Sequence, residues 1–136
     1  VTPGSALSAA IAAEDAAVYA YGVIGPHLAE EQRPAARAAL DTHRQRSFTL
    51  RDRVAAAGGP APDAPIAYDL PYPVNDPDSA RRLAGLVEMR LAAAYADLAA
   101  AMSDAPRTDA ILAAREATVR AIGWGAASMA FPGLEA

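Results

Sequence analysis

Four side chains carry most of the chemistry this sequence could perform. Glu14 interrupts "AAIAAEDAAVYAYGVIG" (residues 9–25), a run of small and apolar residues in which a carboxylate has no obvious wet face. His43, Glu88 and Glu116 interrupt later runs of the same kind. Three carboxylates and an imidazole brought to one point can hold a single Fe, Mn or Zn ion. The same groups can instead satisfy one another, because buried charge persists when it is paired and hydrogen-bonded. The choice depends on the elements that position them.

The breakers predict four helices. Gly25-Pro26 stops the first, expected over residues 5–24. Pro34 opens the second, expected over 34–57 and ended by Gly58-Gly59-Pro60. Asp76 as N-cap, Pro77 as first helical residue and Asp78 in the positive first turn start the third, which runs to about 103. The fourth is expected from 106–108 to about 125, leaving the tail "FPGLEA". Between the second and third lies "GGPAPDAPIAYDLPYPVNDP", with too many prolines for a helix or a central strand.

Steps of four and three mark the buried faces. Helix 1 gives Leu7, Ile11, Glu14, Val18, Tyr21 and Gly25, and helix 2 gives Ala36, Leu40, His43, Ser47, Leu50 and Val54. Helix 3 gives Ala84, Glu88, Leu91, Tyr95, Leu98 and Met102. Glu14 and His43 sit at the centres of their stripes, and Glu88 nearer an edge. On helix 4 the expected inward arc runs through Ile111, Leu112, Val119, Ile122 and Ala126, with Arg115 inside it as a counter-ion and Glu116 on its border. Tyr21 is expected to bond a core carboxylate rather than act in redox chemistry, and a cavity lined by Tyr21 and Tyr95 would admit a small ligand.

Short connections make helices 1 and 2, and 3 and 4, antiparallel pairs. The proline-rich link reaches about 60 Å when extended, against about 37 Å for one of these helices. It is therefore expected to cross back along the whole bundle. In that topology Glu14, His43, Glu88 and Glu116 all lie about 15–17 Å from one end, in a single polar layer.

Composition narrows the classes. The chain of 136 residues, 53% hydrophobic and 21% charged, is expected to be one all-α domain over 1–136. Net charge is −4 and no Lys is present, which excludes Schiff-base and P-loop chemistry and argues against a nucleic-acid partner. The absence of Cys excludes disulfides, thiolate sites and Cys nucleophiles. No charge-free stretch approaches the roughly 20 residues of a membrane span, and residues 1–13 lack a basic n-region. No membrane partner, signal peptide or transmembrane segment is expected, with a cytoplasmic location as the default.

The segments "LSAAIAAEDAAVYAYGVIGPHL", "HRQRSFTLRDRVAAAGGPAP", "AYDLPYPVNDPDSA", "LVEMRLAAAYADL" and "FPGL" resemble a bacterial family of uncharacterised ferritin-like domains. The resemblance implies a ferritin-like four-helix bundle. Di-iron members of that superfamily use Glu, Glu-x-x-His, Glu and Glu-x-x-His on successive helices. Glu14, His43, Glu88 and Glu116 match places in that pattern, whereas Leu40 stands at a Glu place and Val119 at a His place. Asp41 does not substitute, pointing about 160° away from His43 on the helix.

A di-iron centre is therefore not expected. The favoured function is a non-enzymatic interaction or small-ligand module without cofactor, built round a Glu/His/Arg network. The alternative is a mononuclear Fe, Mn or Zn protein with oxidoreductase or metal-handling activity. Ala12, Ala16, Tyr19 and Val23 form a second apolar face on helix 1, and Trp124 is placed outward on helix 4. These faces favour a homodimer, with the loop residues Tyr68, Leu70, Pro71 and Tyr72 as the competing cover. Arg44, Arg46, Arg51 and Arg53 fan round helix 2 and are expected on a solvated face with some ion pairs.

Overall fold

The computed structural model describes residues 2–126. Among them are four α-helices, α1 (Pro3–Ile24), α2 (Arg33–Ala56), α3 (Pro77–Ala101) and α4 (Asp104–Gly123), and no strand. Single 3-10 turns at Gly25–His27 and Glu30–Gln32 join α1 to α2.

Local chemistry explains the boundaries. Thr2 and Ser5 form a capping box at the start of α1, with Pro3 first in the helix. Asp76 does the same for α3, its Oδ1 accepting from the Ser79 amide at 2.7 Å while the Asp76 amide donates to Ser79 Oγ at 3.2 Å. Gly58, at φ 83, ends α2 in the left-handed conformation that costs glycine least. Helix α4 starts ahead of Pro106 because proline in a first turn forfeits only an amide that would lack a helical partner anyway.

Packing is uneven round the fold. Helix α1 lies against α2 and α3, and α3 lies against α4, but no Cα of α2 comes within 8 Å of one in α4. The core is Ile11, Ile24, Leu83, Leu91 and Leu98 set among buried alanines. Full burial of each large side chain is worth about 1.5–3 kcal/mol.

The expected inward arc of α4 is reversed. Ile111, Leu112, Val119 and Ile122 are 53, 48, 62 and 44% exposed, while Ala110, Ala113, Ala117 and Ala121 are buried. Short side chains let α4 lie close on α3. At Gly85, the position of an added Cβ is already 3.6 Å from Ala126 Cβ and 3.8 Å from the Ala121 carbonyl. Close approach gains dispersion contacts along a whole helix, which four larger side chains would hold apart.

Residues 57–76 contain no helix or strand. Arg51 Nη1 donates to the Pro62 carbonyl at 2.8 Å, and the Tyr68 ring packs on Tyr19 at 5.3 Å between centroids. The second apolar face of α1 is thus partly covered from within the chain. Among the described residues one stretch, Pro3–His27, with a mean hydropathy of 1.3 over its most apolar 18 residues, could cross a bilayer by length and composition. A buried core helix passes the same measure, and this one packs on α2 and α3.

Candidate functional site

Helices α1, α2 and α3 bring Glu14, His43 and Glu88 together in the interior, each 0% exposed. His43 Nδ1 lies 2.8 Å from Glu14 Oε2, and its Nε2 lies 2.8 Å from Glu88 Oε2. Each carboxylate has a second donor from a tyrosine. Tyr95 Oη donates to Glu14 Oε1 at 2.7 Å, and Tyr21 Oη donates to Glu88 Oε2 at 2.5 Å. Trp124 Nε1 in turn donates to Tyr21 Oη at 3.0 Å. Glu88, expected nearer the edge of its stripe, is fully inside.

Protonation follows from this geometry. Both ring nitrogens of His43 face carboxylate oxygens, and a neutral imidazole could donate to only one of them. Burial lowers the affinity of His43 for its second proton, but the hydrogen bonds and charges of Glu14 and Glu88 outweigh it and raise the pKa to about 9. The ring is an imidazolium at neutral pH. Burial, then the adjacent acid, pushes both tyrosine hydroxyls well above their ordinary range, so they remain donors.

The remaining charge comes from Arg120. Its Nη1 reaches Glu88 Oε1 at 3.4 Å and its Nη2 reaches Glu116 Oε2 at 3.8 Å. Two acids are thereby balanced by an imidazolium and a guanidinium, which is the condition for keeping charge in a low-dielectric interior.

Two expected members of the layer lie elsewhere. Glu116 is half exposed at the edge of α4, where it pairs with Arg46. Arg115 is on the outer surface and has no ion pair among the described residues. Both shifts follow from the alanine face: turning it inward carries Arg115 out and brings Arg120, one turn beyond Glu116, against Glu88. Trp124, placed outward from the sequence, is half-buried against Tyr21. The signal that could have found Arg120 is its i,i+4 spacing from Glu116.

The donor set does not fit the ligand pattern of the di-iron members of the superfamily that the sequence resembles. Leu40 and the exposed Val119 occupy two ligand places, and Glu116 is outside the layer. A metal shared by Glu14, His43 and Glu88 would need one ring nitrogen and both acids aimed at one point. Instead His43 stands between the acids with a nitrogen toward each. Among the described residues no cluster of three or more His, Asp or Glu is arranged to hold a metal ion.

Two further polar groups flank the centre. Asp15 accepts from Ser47 Oγ at 2.7 Å and from Arg51 Nη2 at 2.5 Å, tying α1 to α2. Across the open side of the fold, Arg46 pairs with Glu116, and Arg53 pairs with Asp109 at 2.9 Å. Beneath these bridges lies a groove of about 330 Å³ lined by α2, α3 and α4, with Leu50, Tyr95, Leu98 and Ala113 in its walls. Tyr95 lines it and Tyr21 does not.

An all-helical domain with a buried acid–imidazole–acid centre is the class that fold and site define. The chain belongs to the family described as "Domain of unknown function (DUF4439)", whose model matches residues 6–136. It is also similar to the crystal structure of a conserved hypothetical protein, rv2844, from Mycobacterium tuberculosis. That likeness has 31% sequence identity and a TM-score of 0.86, covering 90% of this chain and 93% of that one. Among curated proteins there is no match.

Proposed function

We propose that this chain is a ferritin-like bundle whose centre is completed by its own side chains rather than by a metal. It acts as a binding module, taking a small carboxylate with an apolar body in the α2–α4 groove. The helix directions support the ferritin-like topology. Glu14–Tyr95 and Tyr21–Glu88 run α1 antiparallel to α3, and Arg46–Glu116 with Arg53–Asp109 run α2 antiparallel to α4. With α1 and α2 joined through a short connection, α2 and α3 then point the same way. Such a pair calls for a long return connection, the role the proline-rich residues 57–76 would fill.

One observation carries the ligand reading. Arg46 Nη1 is closed off from solvent and has no hydrogen-bond partner among the described residues. A buried guanidinium N–H without an acceptor is costly, and a turn of the Arg46 side chain, itself 23% exposed, would bring that N–H to a carboxylate in the groove. Leu50, Leu98 and Ala113 offer the apolar surface for the rest of the molecule. The volume matches the lower end of the roughly 300–1,000 Å³ usual for such sites.

The probe is octanoate, titrated into the protein and followed by NMR shifts of the Ala110, Ala113 and Leu98 methyls. Saturable shifts lost in Arg46→Ala support the site. No saturable shift in the unsubstituted protein ends it.

The convergence of Glu14, His43 and Glu88 also favours a second reading, a mononuclear Fe, Mn or Zn protein. It requires His43 to give up a proton and the two acids to move to one side of the ring. Metal analysis after reconstitution separates the two. Stoichiometric metal that is lost in His43→Ala would overturn the self-completed centre.

A further inference from the structure

Helix α4 is apolar on two opposite sides. Val119 stands nine positions from Ala110, about 180° round a helix of 3.6 residues per turn, so the exposed Val119 and Leu112 lie opposite the buried alanines, with the exposed Ile111 and Ile122 to one side of them. A helix with two apolar faces buries one in its own fold and the other against something else. The outer face is not flat. Leu112, Arg115, Glu116 and Val119, with Arg120, line a depression of about 400 Å³. Their spacing of i, i+3, i+4 and i+7 is the four-residue hole that receives a side chain from a facing helix.

We infer that this face is a homodimer interface, α4 against α4 and antiparallel. Its charges identify the occupant. Arg115 is exposed and without an ion pair among the described residues, and Glu116 beside it is half exposed. Turned about a two-fold axis between these two positions, the strip is complementary to itself. Leu112 of one copy meets Val119 of the partner subunit, and Arg115 meets Glu116 of the partner subunit, each contact occurring twice. A two-fold contact requires such self-complementarity. The strip shares Leu112 and Glu116 with the α2–α4 groove, so the apolar surface extends beyond one helix. The interface does not rest on the carboxylate reading of that groove.

Sedimentation equilibrium of the full chain tests the inference. The expected result is twice the chain mass at high micromolar concentration, reduced to the monomer mass in Val119→Asp, with helicity unchanged and the same melting temperature as the unsubstituted chain once both are diluted to monomers. Because Val119 is 62% exposed, that substitution leaves the core intact. The chain has no cysteine, so a Leu112→Cys, Val119→Cys double variant should form a cross-linked dimer on mild oxidation, and Phe48→Cys on α2 should not. An unsubstituted chain that stays monomeric overturns the interface, whether residues 127–136 or another protein cover the strip. So does a dimer that survives Val119→Asp.

Discussion

At the His43 centre, two acids lie wholly inside the protein with every carboxylate oxygen engaged by an imidazole, a tyrosine or Arg120. At the α2–α4 seam, Arg46 and Arg53 reach acids that are half or more in water, Glu116 at 51% and Asp109 at 60%. The residue types are nearly the same and the energetics are opposite. Inside, desolvated charge is tolerated only as a complete set, and removing one member leaves the others uncompensated. Outside, water screens the pairs, and each is worth about 0–1 kcal/mol. The centre therefore fixes how α1, α2 and α3 meet, while the seam bridges α2 and α4 without closing them. The working surfaces proposed above lie on the loosely held side.

The largest expected effect is at the centre. His43→Leu leaves Glu14 and Glu88 facing each other across a site with no imidazolium, and should cost about 3–5 kcal/mol in denaturant unfolding. A cost below 1 kcal/mol would put the centre in the same class as the seam.

Next is pH. His43 binds its second proton more tightly in the folded protein, about 9, than at its ordinary 6.5. The resulting stabilisation is fully present below pH 6.5 and is lost as pH rises through 9. From the size of that shift it amounts to about 3 kcal/mol. Denaturation midpoints across that window should fall in the unsubstituted protein and stay nearly level in His43→Leu.

The tyrosines rank below. Tyr95→Phe removes one hydrogen bond to a buried carboxylate, for about 1.5–3 kcal/mol. Tyr21→Phe should cost more, since it also strips Trp124 Nε1 of its acceptor. The reverse order in thermal melts would show that Trp124 adds nothing to the centre. Arg53→Ala closes the series, with a loss of about 1 kcal/mol or less. A loss as large as that of a tyrosine would mean the seam is drier than its exposure indicates.

The centre was more legible in the sequence than the seam, for a physical reason. Glu14 and His43 stand in stripes anchored by large apolar residues, Ile11 and Tyr21 on α1 and Leu40 and Leu50 on α2, so periodicity located the buried faces of α1 and α2. The cap at Asp76 and the breaker Gly58 act locally, and the boundaries near them follow from short-range chemistry, whereas the Thr2–Ser5 capping box, which starts α1 at Pro3 rather than at residue 5, was not read. Helix α4 defeats the same method because its larger apolar side chains are on the outside. Ranking positions by hydrophobicity selected Ile111 and Val119, whereas helix approach selected Ala110, Ala113, Ala117 and Ala121. That inversion displaced Arg115 and Glu116 from the expected layer and hid Arg120. The steps of three and four between the alanines are visible in the sequence. Their priority emerges only from how closely α4 lies on α3.

The centre as described depends on two protons on one ring. Nitrogen NMR of the histidines at pH 7, in protein prepared with and without a chelator, reads it directly. Nδ1 and Nε2 of His43 should both be protonated, with shifts indifferent to the chelator. A single neutral tautomer, or a ring nitrogen whose shift follows metal removal, would contradict it.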